Sequence, residues 1–102
     1  MNMIAEIPFD PAGFKKARAL IKSLDNENRL LILCLLCHRD VNVSEMAEVS
    51  GLSMSAVSQH LTVLRQAGMV ASEKQSQTVT YRLANDEVRR VIDLLKDMYC
   101  ST

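Results

Sequence analysis

VNVSEMAEVSGLSMSAVSQHLTVLRQAGMV, residues 41–70, is the stretch on which the fold turns. Ser44 is placed to cap a short helix carrying Met46, Ala47 and Val49. Gly51 is placed to stop it, because glycine enters the left-handed backbone region that ends many helices. Ser53 caps the next helix, with Leu52 ahead of it and Val57 inside it as a hydrophobic staple. Val57, Leu61 and Leu64 recur at helical spacing as a buried stripe, while Ser55, Ala56, Ser58, Gln59 and Thr62 fall largely on other faces. Gly68 ends this helix. Two helices joined by a tight glycine turn, the second with a small polar outer face, make a helix-turn-helix over 44–67.

Downstream the period changes from helical to alternating. Val79, Tyr81 and Leu83 alternate with polar residues, as in a half-buried strand. With Val70 and the polar tip Gln75, Ser76, Gln77 and Thr78, residues 70–83 form a β-hairpin, a wing following the helix-turn-helix. Asn85 caps a last helix over 86–100, with Asp86 and Glu87 in its first turn. Its stripe of Val88, Val91, Ile92, Leu95, Met98 and Tyr99 is large enough to meet a partner helix, which favours a two-fold homodimer through the terminal helices.

Upstream, residues 1–9 read as a flexible arm and Asp10-Pro11 as a helix start. Phe14, Ala17, Ile21 and Leu24 follow at helical spacing. Lys15, Lys16, Arg18 and Lys22 lie mostly off that stripe, as a solvated face or one that meets phosphate or flanks a dimer contact. Asp25 or Asn26 caps a second helix. Leu30 to Cys37 is apolar throughout, so this helix is expected to be buried all round, ending near His38-Arg39. The whole is one domain, mainly α with a small wing, in the order α-α-α-α-β-β-α.

Composition narrows the function. The 102 residues suit one core, and 12 basic residues balance 12 acidic ones. Aromatic residues make up only 4%. No export signal is read in MNMIAEIPFDP and no apolar run is long enough to cross a bilayer, so a cytoplasmic location with no membrane partner is expected. Three cysteines in a reducing compartment do not make a disulfide framework. Residues 34–38, CLLCH, match the spacing of covalent c-type haem attachment. The missing export signal and the scarce aromatics weigh against that electron-transfer alternative. No cofactor is called for. No Ser-His-Asp set or glycine-rich phosphate loop is present, and Asp93 and Asp97 read as the wet face of the last helix, so no enzyme is expected.

The sequence resembles the ArsR/SmtB winged helix-turn-helix repressors along nearly its whole length. NENRLLILCLL (26–36), GLSMSAVSQHLTVLRQAGMV (51–70) and TVTYRL (78–83) carry the resemblance. The Ser-x-His-Leu-x-x-Leu-Arg-x-x-Gly pattern from Ser58 to Gly68 is specific to that family. Within it, a cysteine in an "ILC" context and another in "YC", here Cys34 and Cys100, look like the thiol- and persulfide-sensing branch (HlyU/BigR/SqrR/YgaV-like). Two familiar metal motifs are missing. SEMAEVS (44–50) has no Cys-x-Cys, and DEVRRVIDLLKDMYC (86–100) has no histidine.

The resemblance implies a transcriptional repressor that binds a pseudo-palindromic double-stranded operator as a dimer, with recognition helices about 34 Å apart. It places Ser55, Ala56, Ser58 and Gln59 at base edges, and Ser53, His60 and Thr62 at phosphates, His60 otherwise being a buried or capping residue. Gln75, Ser76, Gln77 and Thr78 of the wing would meet backbone or minor groove. Between Ser50 and Asn85, Arg65, Lys74 and Arg82 face one acid, Glu73, a balance of 3 − 1 = +2. So small a footprint implies a shallow salt dependence. Cys34 and Cys100 would be the redox-sensing pair, answering a reactive sulfur or oxidant inducer. Cys37 reads as core or as a modulating thiol. A metal-sensing repressor using Cys34, Cys37, His38 and Cys100 is the alternative, made awkward because adjacent Cys and His point about 100° apart on a helix.

Overall fold

The computed structural model describes residues Glu6–Cys100; the first five positions of the expected arm lie outside the described residues. Five helices and three strands follow in the order α1 (Pro11–Leu24), α2 (Glu27–His38), β1 (Val41–Asn42), α3 (Val43–Ser50), α4 (Met54–Gln66), β2 (Val70–Gln75), β3 (Thr78–Leu83) and α5 (Asp86–Tyr99). The strands form one antiparallel sheet in the order β1-β3-β2. Val41 pairs with Tyr81, and β2 pairs with β3 from Val70–Leu83 to Gln75–Thr78. The fold is a winged helix-turn-helix with one more strand than the hairpin reading supplied. Two residues of β1 are too few to show an alternating pattern, so only pairing with β3 reveals them.

Most helix starts are local. The side chains of Asp10, Asn26, Ser53 and Asn85 accept hydrogen bonds from the first-turn amides of α1, α2, α4 and α5. The start of α3 differs from expectation. Asn42, not Ser44, is the cap: its side chain accepts from Glu45 N–H at 2.8 Å, and the Glu45 carboxylate accepts from Asn42 N–H at 3.1 Å. This reciprocal pair leaves Ser44 inside the first turn. Gly51 closes α3 at φ 76° and ψ 7°.

The core draws on every layer. Ile32, Leu33 and Leu36 of α2 meet Val41, Met46 of α3, Val57, Leu61 and Leu64 of α4, Val70 of β2, and Val88 and Ile92 of α5. Burying each of these side chains stabilises the fold by roughly 1.5–3 kcal/mol. α2 is central, but it is not buried all round: Leu31 is 44% exposed and Cys34 is exposed. α1 departs further from its expected stripe. Leu20 and Leu24 pack on the core while Phe14 and Ile21 face outward. Arg29 fastens α1 to α2, donating from Nε to the Ser23 carbonyl at 3.0 Å and from Nη2 to the Lys22 carbonyl at 3.1 Å. The Ser23 carbonyl is one of those that a helix end leaves without an intrahelical partner, while the Lys22 carbonyl also accepts from the Asp25 cap N–H at 3.3 Å. Just ahead of α1, the Phe9 ring stands edge-on to Phe14 with centroids 6.0 Å apart.

Candidate nucleic-acid interface and thiol site

α4 turns its apolar stripe of Val57, Leu61 and Leu64 inward, so the opposite face is free. Ser55, Ser58, Gln59 and Thr62 are exposed on that face. Gln66 is exposed too and continues it at i+4 from Thr62, a position the sequence reading passed over although the spacing was legible. Ala56 and His60 lie half-buried at its border. These side chains are small or can bond bidentately, so a helix can settle into a major groove.

The side chains expected at phosphates separate into different roles. Ser53 is exposed, and its oxygen accepts from Ala56 N–H at 3.1 Å. Its hydroxyl proton remains available to donate outward. Thr62 Oγ1 instead donates to the Ser58 carbonyl at 3.0 Å, so its proton is already committed to the helix. Arg65 donates from Nη1 to Ser72 Oγ at 3.2 Å and braces α4 against β2. That bond uses one of the five guanidinium donors.

The wing carries Gln75, Gln77 and Thr78, all exposed at its tip, on a two-residue turn of Ser76 and Gln77. Ser76 lies at φ 57°, a left-handed conformation that non-glycine residues seldom adopt. Glu73 and Arg82 approach within 3.7 Å across the wing, while Lys74 has no ion-pair partner among the described residues. The exposed cations of this surface therefore remain few.

A second feature lies between α2 and α5. A cavity of about 630 Å³ is bordered by all three thiols, Cys34, Cys37 and Cys100. Leu30, Ile92 and Tyr99 supply apolar walls, and His38, Asp93 and Lys96 the polar ones. Cys34 is exposed as a residue, yet burial around its sulfur pushes its pKa up, and the nearby Cys100 adds to the rise. Cys37 is also pushed up, first by burial. The Arg89 charge opposes that shift, and Cys34 and Asp93 reinforce it. Arg89 also donates from Nη1 to the Cys37 carbonyl, joining α5 to the end of α2 across 52 residues of sequence. No local pattern announces such a contact. Asp93, read from sequence as part of a wet face, borders the thiols. Among the described residues, no three His, Cys, Asp or Glu side chains come together as a set able to hold a metal ion.

Comparison with known proteins identifies the family. The model of bacterial regulatory proteins of the arsR family matches residues 26–72. The transcriptional activator HlyU of Vibrio cholerae serotype O1 is 46% identical over 85 residues, 83% of this chain and 79% of HlyU. The chain belongs to the ArsR family. A biofilm growth-associated repressor of Agrobacterium fabrum is 35% identical over 101 residues, 96% of this chain and 86% of that protein. The solved structure of HlyU from Vibrio cholerae N16961 superposes with a TM-score of 0.85 at 42% identity, covering 90% of this chain and 100% of HlyU. The homodimeric winged helix-turn-helix DNA-binding domain of Mb0332 from Mycobacterium bovis superposes at 0.79 with 25% identity, covering 90% and 88% of the two chains. This ArsR-family protein is a transcriptional regulator with a DNA-binding winged helix, not an enzyme. The family match spans Cys34–His38, so CLLCH lies inside the DNA-binding winged helix domain. Among the described residues, no helix is long and apolar enough to cross a membrane.

Proposed function

We propose that this regulator is a homodimeric, cytoplasmic repressor that leaves a pseudo-palindromic operator when Cys34 and Cys100 are oxidised or persulfidated. The observation that carries the reading is the shared cavity: two thiols 66 positions apart in sequence (100 − 34) border one space between α2 and α5. A thiolate there attacks an oxidant or a persulfide sulfur, and the second cysteine resolves the product into a disulfide or polysulfide link. Such a link ties the end of α5 to α2. α1 and α5 leave Ile21 66%, Leu94 57%, Met98 56% and Tyr99 80% exposed, apolar surface that a second copy would cover. Tethering α5 then changes the angle between protomers and the spacing of the two α4 helices. Operator affinity falls because half-site spacing is geometrically constrained.

Base contacts are assigned to Ser55, Ala56, Ser58 and Gln59. Phosphate contacts are assigned to Ser53, His60 and Arg65, and wing contacts to Gln75, Gln77 and Thr78. Thr62 contributes its methyl group to the groove. Burial, with a smaller contribution from Cys100, pushes the Cys34 pKa up, so its reaction with a sulfur donor is expected to quicken as pH rises. The test is operator binding before and after glutathione persulfide, with wild-type, Cys34→Ser and Cys100→Ser proteins. Wild type is expected to release DNA and both variants to retain it. Release by both variants would show that this pair is not the switch.

A further inference from the structure

Cys37 is the thiol that the proposed switch leaves without a role. It lies three residues after Cys34 in α2 and borders the same cavity. Side chains three apart on a helix have Cβ atoms roughly 5–6 Å apart. A direct disulfide needs about 3.5–4.5 Å. Closing one would require the last turn of α2 to distort, and that turn is held from three directions. Arg39 N–H donates to the Leu35 carbonyl at 3.1 Å. Arg89 holds the carbonyl of Cys37 itself. Val41, just past the helix, is paired with Tyr81 in the sheet. A bridge with one inserted sulfur is longer by one S–S bond of about 2 Å and spans the undistorted turn.

We propose that Cys37 is a sulfur-accepting partner of Cys34, and that the two close a trisulfide within α2 but no direct disulfide. The proposal rests on the reading of Cys34 as the sensor thiol. A low-molecular-weight persulfide, R–S–SH, serves as both sulfur donor and oxidant. The Cys34 thiolate attacks the donor's terminal sulfur, the donor S–S bond breaks, and R–S⁻ leaves, leaving Cys34–S–SH. A second donor converts Cys37 in the same way. The deprotonated outer sulfur of the Cys34 persulfide then attacks Sγ of the Cys37 persulfide. The S–S bond there breaks and hydrosulfide leaves. One donated sulfur stays in Cys34–S–S–S–Cys37, the other departs reduced, and the two protein thiols are oxidised. Arg89 stands beside Cys37, where its charge favours the anions of this sequence. Peroxide carries no sulfur to insert, so the geometry of one helical turn separates sulfur donors from oxygen-based oxidants. A bridge inside α2 also withholds Cys34 from Cys100, so Cys37 raises the sulfur dose needed before α5 is tethered.

The test uses the full chain carrying Cys100→Ser. Trypsin cutting after Arg29 and Arg39 releases LLILCLLCHR, residues 30–39, with both remaining cysteines on one peptide. After glutathione persulfide and alkylation, the expected peptide gains one sulfur, loses two hydrogens and carries no alkyl group. After diamide or peroxide, the loss of two hydrogens alone is not expected. With Cys37→Ala added, the sulfur on Cys34 is expected as an open persulfide that alkylation captures. A direct disulfide formed by diamide in yield matching the trisulfide overturns the proposal. So does a Cys34 that gains sulfur while Cys37 stays fully alkylated, an outcome that leaves the sensor reading of Cys34 standing. A Cys34 that takes no sulfur in the unsubstituted protein overturns both.

Discussion

Ser53→Asp separates two roles that a single hydroxyl can combine. The Ser53 oxygen accepts from Ala56 N–H and caps α4, while the exposed hydroxyl keeps a proton to donate to a phosphate. Aspartate caps a helix about as well as serine, and its charge suits the positive end of the helix dipole by about 0.3–1 kcal/mol. Stability in urea should therefore stay level or rise slightly. DNA binding should respond in the opposite direction. A carboxylate about 6 Å from a phosphate costs about 0.7 kcal/mol even at the dielectric constant of water. The lost donor adds about 1 kcal/mol. In the proposed homodimer the sum doubles to roughly 3–4 kcal/mol, a weakening of about 100- to 1,000-fold. Ser53→Ala should behave differently, losing about 1 kcal/mol of stability with the cap. The assay is fluorescence anisotropy with a duplex selected from random sequence, at one fixed salt concentration, beside urea denaturation at matched protein concentration. An aspartate variant that binds DNA within about twofold of wild type would place Ser53 away from the phosphates. An aspartate variant destabilised by more than about 1 kcal/mol would show that the cap is misassigned.

Leu61→Ala, at a site 1% exposed where α4 meets the core, should cost about 2–5 kcal/mol in urea denaturation. A cost below about 1 kcal/mol would mean that α4 is not seated as described. Glu45 is held below the ordinary carboxylate range by the Asn42 amide first and by Arg39 second. Its contribution is therefore complete above the unfolded pKa and is lost as pH falls through the lowered folded value; Glu45→Gln, which can keep the reciprocal cap, should flatten that acid limb of a stability–pH profile. Cys34, pushed up by burial and by Cys100, should alkylate with iodoacetamide at a rate still climbing above pH ~8.5, where a free thiol is half ionised. A plateau below that pH, followed on the 30–39 peptide, would contradict the crowding around its sulfur. The same shift favours the neutral thiol in the folded protein, so it costs stability as pH rises past the unfolded value.

The elements legible from sequence were those governed by neighbours within one or two turns. Gly51 and Gly68 punctuate α3 and α4, Asp10, Asn26, Ser53 and Asn85 supply caps within three residues of the amides they serve, and Val57, Leu61 and Leu64 repeat at helical spacing. The α3 cap is not legible locally because two polar residues, Asn42 and Ser44, compete within one turn. The choice depends on which one Glu45 answers. The polar face of α4 was legible for the same reason as its buried stripe, since one periodicity generates both. What could not be read locally was which apolar residues find partners. Phe14, Ile21 and Leu31 look like core residues by spacing, yet they face outward because α1 and α2 pack through other sides.

The helix-turn-helix and the wing follow from residue order alone, because capping, glycine conformation and hydrophobic period act over a few residues and need no knowledge of the rest of the chain. The existence of β1, the brace from Arg65 to the wing and the reach of Arg89 to the Cys37 carbonyl emerge in the folded chain. Tertiary packing alone draws Cys34, Cys37 and Cys100 around one cavity. Those relations join residues from separate elements, and they form only when the shared apolar core brings α2, β3 and α5 together.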